Sequence, residues 1–324
     1  MKLYFCLLVT LVFQACTKDV QSPSTIDVVH LAGIVANPSG KTVASYWKDG
    51  VYARLTKTDS ASEVDCMAVS GSNVWIGGWD WSLLPNTAVV WKNGEQVSFN
   101  CPGEIYATAA QGSDLYETHF DNTNRCWVYS KNGVATAIAD TALSIQPTGI
   151  ALQGNDVFIS GGSLVSSGTH SVQHAEYWKN GMLLFRDARD TRALGLAVDK
   201  THVYLCGFFI DQADSSLKAC YWKDDELIAL KTEGLYSIAF SIFVNEDVYV
   251  AGYDGQKAVY WKNGIPTALT DGATPASANS IAVKGSDVHI GGHENYYPVY
   301  WKNGEKQTID NQNTKGQIKV VVVQ

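Results

Sequence analysis

Residues 281–304 read IAVKGSDVHIGGHENYYPVYWKNG, and the pattern in this stretch decides the fold. Two short β-rich segments flank the turn residues 284–287, and the second segment ends in two glycines before a variable stretch leads to Tyr300-Trp301. Asn303-Gly304 favours a type I′ hairpin into a further strand, because both residue types tolerate positive φ. The stretch therefore predicts an antiparallel meander of four strands, which we name a, b, c and d.

The end of this stretch is repeated along the whole chain. Its seven copies begin 39 to 48 residues apart, and six of the ten tryptophans occupy one position of the repeat. A period of about 42 residues is that of a four-stranded propeller blade, and the 3.6-residue apolar pattern of helical repeats is absent. We therefore predict an all-β, seven-bladed β-propeller in which the tryptophans fill the space between blades and the lysines are solvated. The seven copies of Trp-Lys-Asn-Gly or a close variant begin at Trp47, Trp91, Ser130, Trp178, Trp222, Trp261 and Trp301.

The two ends of the repeat array complement each other. Residues 26–33 align with strand b, so the first blade lacks a strand a of its own. Residues 318–323 read as an extra strand a with no b, c or d after it. We expect the carboxyl-terminal strand to join the amino-terminal blade and close the ring, which leaves no unpaired blade edge.

The amino terminus has the pattern of an export signal. Lys2 is followed by an apolar run over residues 3–13 that is too short to span a bilayer, and Ala15-Cys16 follows. This pattern resembles a bacterial lipobox, which implies acylation of Cys16 and a location in the cell envelope, at the outer membrane or cell surface. The resulting division is signal peptide and lipobox at 1–16, tether at 17–25 and propeller at 26–324. An ordinary cleaved secretory signal is the alternative.

Two resemblances concern the repeat itself. The Gly-Gly ending of strand b, in Ile76-Gly77-Gly78, Ser160-Gly161-Gly162 and Ile290-Gly291-Gly292, resembles the kelch propeller repeat, although the adjacent Tyr-Trp of strand c differs from the kelch arrangement. The repeated Tyr-Trp-Lys-Asn-Gly segment is similar to that of largely uncharacterised bacterial lipoproteins. Both resemblances imply a fold and neither implies a mechanism.

Composition restricts the partners. A chain with 46% hydrophobic and 17% charged residues has the content of a globular protein. The net charge of −8, without any basic run, argues against nucleic acid and against membrane contact other than through the lipid anchor. Neutral or cationic ligands are favoured. Five cysteines follow Cys16, and this odd number cannot pair completely within one chain.

Candidate ligand contacts lie where strand b ends. The b-to-c and d-to-a connections are long and irregular, and a meander places both on one face of the ring, which we call the b-to-c face. Several blades have an aromatic residue or histidine beside an acid there. Such rings stack on sugars or cationic side chains, and the acids accept hydroxyl hydrogen bonds. Alternatively, the acids cap turns and the rings pack between blades. The candidates are Trp79, Asp80, Trp81, Phe120, Asp121, Phe208, Tyr253, Asp254, His293 and Glu294.

The sequence contains no Ser-His-Asp signature, phosphate loop, zinc motif or calcium loop, so we assign no catalytic residue, cofactor or metal. The leading hypothesis is a monomeric, surface-anchored recognition module that binds a glycan or protein segment on the b-to-c face. One alternative is a carbohydrate-active enzyme, an epimerase, lyase or hydrolase, that uses acids on the same face. The other is a scaffold subunit of an envelope complex. On the question of enzyme or binder, the sequence favours a binder without deciding.

Overall fold

The computed structural model describes residues 27–57, 59–83, 88–97, 104–122, 124–138, 145–167 and 170–324, the side chains of residues 166–171 excepted. The predicted signal peptide, the lipobox with Cys16 and the tether lie outside the described residues. Within the described part of the chain, no helix is long and apolar enough to cross a membrane.

The described residues form seven four-stranded antiparallel sheets, which confirms the predicted seven-bladed β-propeller. One turn of 3₁₀ helix, Trp81–Leu83, interrupts the b-to-c connection of the second blade. The first four blades, each in the order a, b, c, d, consist of the following strands: β28 (Gly316–Val323), β1 (Val29–Ala36), β2 (Thr42–Lys48) and β3 (Val51–Arg54); β4 (Ser62–Ser70), β5 (Asn73–Asp80), β6 (Ala88–Lys92) and β7 (Glu95–Val97); β8 (Ile105–Gln111), β9 (Asp114–Asp121), β10 (Cys126–Lys131) and β11 (Val134–Ala137); β12 (Ile145–Gln153), β13 (Asp156–Ser167), β14 (His170–Lys179) and β15 (Met182–Arg186).

Blades 5 to 7 follow the same plan. Their strands are β16 (Thr191–Val198), β17 (Val203–Ile210), β18 (Leu217–Lys223) and β19 (Glu226–Ala229); β20 (Ser237–Val244), β21 (Val248–Asp254), β22 (Lys257–Lys262) and β23 (Ile265–Ala268); β24 (Ala276–Lys284), β25 (Asp287–Glu294), β26 (Tyr297–Lys302) and β27 (Glu305–Gln307).

The ring closes as the sequence predicts. Strand β28 pairs antiparallel with β1, with Leu31 opposite Val321 and Gly33 opposite Ile318. Ile318 and Val321 are buried in a cluster with Trp47. The carboxyl-terminal strand therefore provides strand a of blade 1, and both ends of the propeller share one sheet.

The repeated tryptophans form the packing between blades, as predicted. All six are at most 1% exposed. Trp301 of blade 7, for example, shares a buried cluster with Ala251 and Ala258 of blade 6. Large apolar rings buried in this way contribute several kcal/mol each, with a loss of about 3–5 kcal/mol on truncation to alanine.

The hairpin between strands c and d is braced from the a-to-b turn. Asn263 and Gly264 have φ values of 51° and 79°, as a type I′ turn requires. Asp247 accepts a hydrogen bond from Asn263 Nδ2 at 2.7 Å and pairs with Lys262 Nζ at 2.7 Å. The same Asp-Lys-Asn contacts occur in blades 3, 4 and 7. Several repeat lysines thus have an ion-pair partner in addition to the predicted exposure to solvent.

Every strand a contains a β-bulge at the same place, and this bulge explains a glycine of strand b. In blade 7 the register passes from Ala278 opposite Gly292 to Ser280 opposite Gly291, which leaves Asn279 unpaired. A Cβ atom at Gly292 would lie only 1.9 Å from the carbonyl oxygen of Ser277. Equivalent glycines with the same close contact are Gly33, Gly78, Gly161, Gly207 and Gly252.

Blade 4 corrects one detail of the sequence alignment. Gly161, not Gly162, occupies the position of Gly78 and Gly292, because Pro147 pairs with Gly161 before the bulge at Thr148. The Gly-Gly pair of this blade is therefore shifted by one residue relative to blades 2 and 7. Gly162 consequently takes the position that Trp79 has in blade 2.

Four cysteines are described, and all are free thiols. Cys206 and Cys220 lie on adjacent strands, but Cys206 faces Tyr221 and Cys220 faces Gly207. Burial raises the pKa of the Cys206 and Cys220 thiols well above its ordinary value. The two thiols therefore behave as small core side chains rather than as reactive groups.

Candidate functional site

The seven bulges direct one side chain per blade into the central channel. Bulges change the direction of a side chain, and here they do so at equivalent positions around the ring. The channel encloses about 480 Å³. Its wall is charged beside blades 1 and 2 and apolar beside blades 5 and 6. The bulge residues, in blade order, are Lys319, Asp65, Tyr106, Thr148, Leu194, Phe240 and Asn279.

The charged wall holds one ammonium group among three carboxylates. Lys319 Nζ lies 3.1 Å from Asp65 Oδ1 and also donates to Glu63. Tyr106 OH donates to Glu104 Oε2 at 2.7 Å. Burial raises the pKa of Asp65, and the nearby carboxylates of Glu63 and Glu104 raise it further, whereas Lys319 lowers it. Burial alone would lower the pKa of Lys319, but the carboxylates of Asp65 and Glu63 raise it. Lys319 therefore remains a cation.

The predicted rings lie beside the end of this channel on the b-to-c face. Trp79 pairs with Glu63, Phe208 with Arg192, and Tyr253 with Ile238. Cross-strand partners have their side chains on the same face of a sheet, so these rings lie one strand farther out than the channel wall.

The same rings also take part in packing. Except for Trp81, all are half-buried. Phe120 contacts Trp127 at 5.3 Å between ring centroids, and Tyr253 contacts Phe240 at 5.8 Å. Burial lowers the pKa of His293, which stacks on Tyr296 at 6.2 Å. These rings thus have a structural use, and ligand contact by them remains a prediction.

The four predicted acids are engaged in local contacts. Asp80 is buried and accepts hydrogen bonds from the Ser82 backbone and hydroxyl at 2.8 and 2.7 Å. Asp121 accepts from Asn124, at 3.2 Å from the backbone and 2.7 Å from the side chain.

The other two acids contact residues of other strands or of a connection. Both oxygens of Asp254 accept backbone N–H groups, from Glu233 and Gly234, at 2.7 Å. Glu294 pairs with Lys306. Turn and linker contacts therefore account for Asp80, Asp121 and Asp254, and this supports the turn-capping interpretation for these three acids, whereas the partner of Glu294 lies in strand β27.

Exposed aromatic rings occur on one face of the described structure. Trp81, Tyr236 and Tyr296 are 57%, 58% and 59% exposed, and they are the strongly exposed aromatic residues of the described chain. Trp81 and Tyr296 lie in b-to-c connections, and Tyr236 lies in the d-to-a connection before β20. All three therefore lie on the b-to-c face. Tyr296 also has φ of 65°, which is rare and unfavourable for a bulky residue.

Sequence reasoning identified Trp81 but missed Tyr236 and the channel residues. Tyr236 follows a short strand d and has no neighbouring acid, so the aromatic-acid pattern did not include it. The channel residues depend on the bulges, which shift the alternation of strand a by one residue. Charged residues such as Glu63 and Asp65 within an otherwise apolar strand were the available signal.

The fold and this face define a β-propeller with aromatic rings displayed around one end of a partly charged channel. No protein-family model matches the chain. No curated protein matches it either.

Solved structures resemble the chain in fold. The puromycin-hydrolyzing peptidase of Mycobacterium tuberculosis matches with a TM-score of 0.51 and 9% identity, over 76% of this chain and 46% of that one. An acylaminoacyl peptidase, in complex with Z-Gly-Gly-Phe-chloromethyl ketone, matches with a TM-score of 0.50 and 11% identity over the same shares. The chain thus spans about half the length of these peptidases. At identities of 9% and 11%, this likeness concerns the fold alone.

Proposed function

We propose that this chain is a recognition module that binds a glycan or a protein segment on the b-to-c face. We further propose that a lipid on Cys16 anchors it in the cell envelope. The observation that carries the binding proposal is the location of Trp81, Tyr236 and Tyr296, whose exposed rings all lie on that face. Aromatic residues are enriched at binding interfaces, so three exposed rings on one face of the ring support a binding role for that face.

The conformation of Tyr296 supports the same interpretation. A left-handed φ costs a bulky L-residue about 1 kcal/mol or more, and glycine or asparagine would avoid that cost. The ring of Tyr296 is mostly exposed, so burial does not repay this cost. Backbone strain of this kind occurs preferentially where a side chain serves a function.

The contacts of the four acids favour a binder over an enzyme. Asp80, Asp121 and Asp254 bind groups of the turns and connections beside them, and Glu294 pairs with Lys306 of strand β27. A glycosidase needs two carboxyl groups that face one bond of the substrate. Turnover of a bound sugar that is abolished by Asp80→Asn or Asp254→Asn would contradict the non-enzymatic proposal.

The binding proposal is tested with the full-length chain in mild detergent, on a glycan array and in pull-downs from envelope extract. Trp81→Ala and Tyr296→Gly should weaken the binding of any captured ligand about tenfold or more, since aromatic contacts contribute most at such surfaces. Tyr296→Gly should leave the melting temperature unchanged or raise it, because it removes the strained φ.

Ile265→Ala is the matched control, since Ile265 is 70% exposed but lies at the start of β23 beside a c-to-d hairpin, on the opposite face. It should not change binding. Equal losses for Ile265→Ala and Trp81→Ala, or ligand binding unaffected by all three changes, would refute the proposed surface. For the anchor, palmitate labelling should be lost in Cys16→Ala, and labelling that persists would refute acylation at that residue.

A further inference from the structure

Blade 4 lacks the large side chain that every other blade has at one position of strand b. Gly162 pairs with Gln146, just as Trp79 pairs with Glu63 and Phe208 with Arg192. A small cavity of about 220 Å³ opens there between blades 4 and 5, which we call the Gly162 pocket. It is lined by Gln146, Gly162, Ser163, Leu164, Gln173 and Arg192.

Arg192 is the charged group of this pocket, and among the described residues it has no carboxylate partner. Its one hydrogen bond runs from Nη2 to Gln146 Oε1, at 3.0 Å. The preceding arginines differ, because Arg186 pairs with Glu176 and Arg189 with Asp187. A guanidinium has five N–H donors in a planar fork that matches a carboxylate. Arg192 therefore retains donors that can bind a carboxylate in the pocket.

The rest of the lining is uncharged and includes two amide side chains. The amides of Gln146 and Gln173 each offer donors and an acceptor. The hydroxyl groups of a sugar both donate and accept, whereas a peptide carboxylate only accepts. The volume is below the roughly 300 Å³ at which drug-sized pockets begin, and it fits one sugar residue.

We propose that the Gly162 pocket binds a uronic acid residue of an acidic glycan, with the carboxylate held by Arg192 and the hydroxyl groups by Gln146 and Gln173. This inference rests on the proposed recognition function and names its ligand class. The net charge of −8 opposes such a ligand only weakly, because charges farther away than about 8 Å are screened at physiological ionic strength.

The test compares sugars that differ only in the carboxylate. Full-length chain is titrated by NMR with glucuronate against glucose, and with galacturonate against galactose. The uronates should bind about tenfold more tightly, as expected for a charge-assisted contact. Arg192→Gln should remove this preference. Gln173→Ala, which alters a side chain at the edge of the pocket, should weaken both classes of sugar.

Arg54→Gln is the matched control, since it changes the net charge equally but removes an ion pair with Asp59 outside the pocket. It should keep the preference. Equal affinity of wild type and Arg192→Gln for uronates overturns the inference. An N-acetylglutamate amide that binds as tightly as the uronates and displaces them overturns the assignment to sugar in favour of a peptide carboxylate.

The result also separates this inference from the proposed function. If uronates do not bind but another ligand binds in a Trp81-dependent manner, the inference fails and the recognition function stands. If no ligand binds in a Trp81-dependent manner, the recognition function itself fails.

Discussion

At the scale of single residues, six of the seven blades have a glycine opposite the bulge, and blade 3 has His119 there. The bulge turns a carbonyl of strand a over strand b, and the space for a Cβ atom disappears at Gly78, Gly207 and Gly292. The same bulge points a side chain into the channel. One backbone feature thus explains both the repeated glycine and the channel lining.

This requirement gives a stability prediction. Gly292→Ala places a Cβ atom 1.9 Å from a backbone oxygen, so the strands must separate locally. We expect a loss of about 3 kcal/mol in the free energy of unfolding, as for overpacked cores. Urea denaturation measures this loss. Gly71→Ala is the control, because Gly71 has open space and a φ of 57° and should lose only about 1 kcal/mol. Equal losses in the two variants would show that the steric contact is absent.

Blade 3 shows how several residues depart from the repeat together. Ser130 replaces the tryptophan, and the strand b residue opposite it, Glu117, replaces the usual apolar residue. His119 takes the glycine position, and its Nδ1 lies 2.7 Å from Glu117 Oε2. Glu117 and His119 are both buried. A buried acid–histidine pair therefore takes part in the packing of the one blade that lacks the tryptophan.

At the scale of elements, the a-to-b turn of blade 5 depends on one carboxylate. Asp199 accepts hydrogen bonds from the backbone of Thr201 and His202, at 2.7 and 2.8 Å, and from Tyr204 OH at 3.0 Å. Partial burial alone would raise the pKa of Asp199, but these hydrogen bonds lower it to about 2. They stabilise the charged form, and hence the folded turn.

The sign of the pH dependence follows from this shift. The pKa of Asp199 is lower in the folded protein than in the unfolded chain, where it is about 4. Asp199 therefore contributes fully to the free energy of unfolding above about pH 4, and this contribution is lost as pH falls toward 2. In Asp199→Asn, the melting temperature should therefore fall less steeply between pH 4 and pH 2 than in wild type. Tyr204→Phe removes one of the hydrogen bonds and should give an intermediate slope. A variant curve parallel to the wild-type curve throughout this range would contradict the role of Asp199.

At the scale of the whole molecule, stability depends on ring closure. Strand β28 supplies buried Ile318 and Val321 to the cluster around Trp47. Deletion of residues 318–324 exposes this cluster and the edge of β1. For a propeller of this size, we expect the melting temperature to drop by at least about 10 °C. Removal of Gln324 alone should have a small effect, because the buried residues remain. An unchanged melting temperature after the longer deletion would refute closure by this strand.

The sequence predicted the fold more completely than the site. The period set by Trp261, Trp301 and their equivalents determines blade number and strand order, and the apolar residues 318–323 indicate closure. The bulges were not predicted, because one extra residue in a strand leaves only a weak local signal, such as the charge of Asp65 within an apolar strand. Exposure of Tyr236 and Tyr296 was not predictable either, since it depends on how neighbouring blades cover each connection. The cavity at Gly162 could be recognised only from the strand pairing of blade 4, in which the glycine pair is shifted by one residue.

The central claim is that the b-to-c face binds the ligand. Amide hydrogen exchange of the full-length chain, with and without its captured ligand, measures this most directly. We expect new protection in the b-to-c and d-to-a connections, including residues around Trp81, Tyr236 and Tyr296, and no change in the Asn-Gly hairpins. Protection confined to the a-to-b turns and the c-to-d hairpins would contradict it.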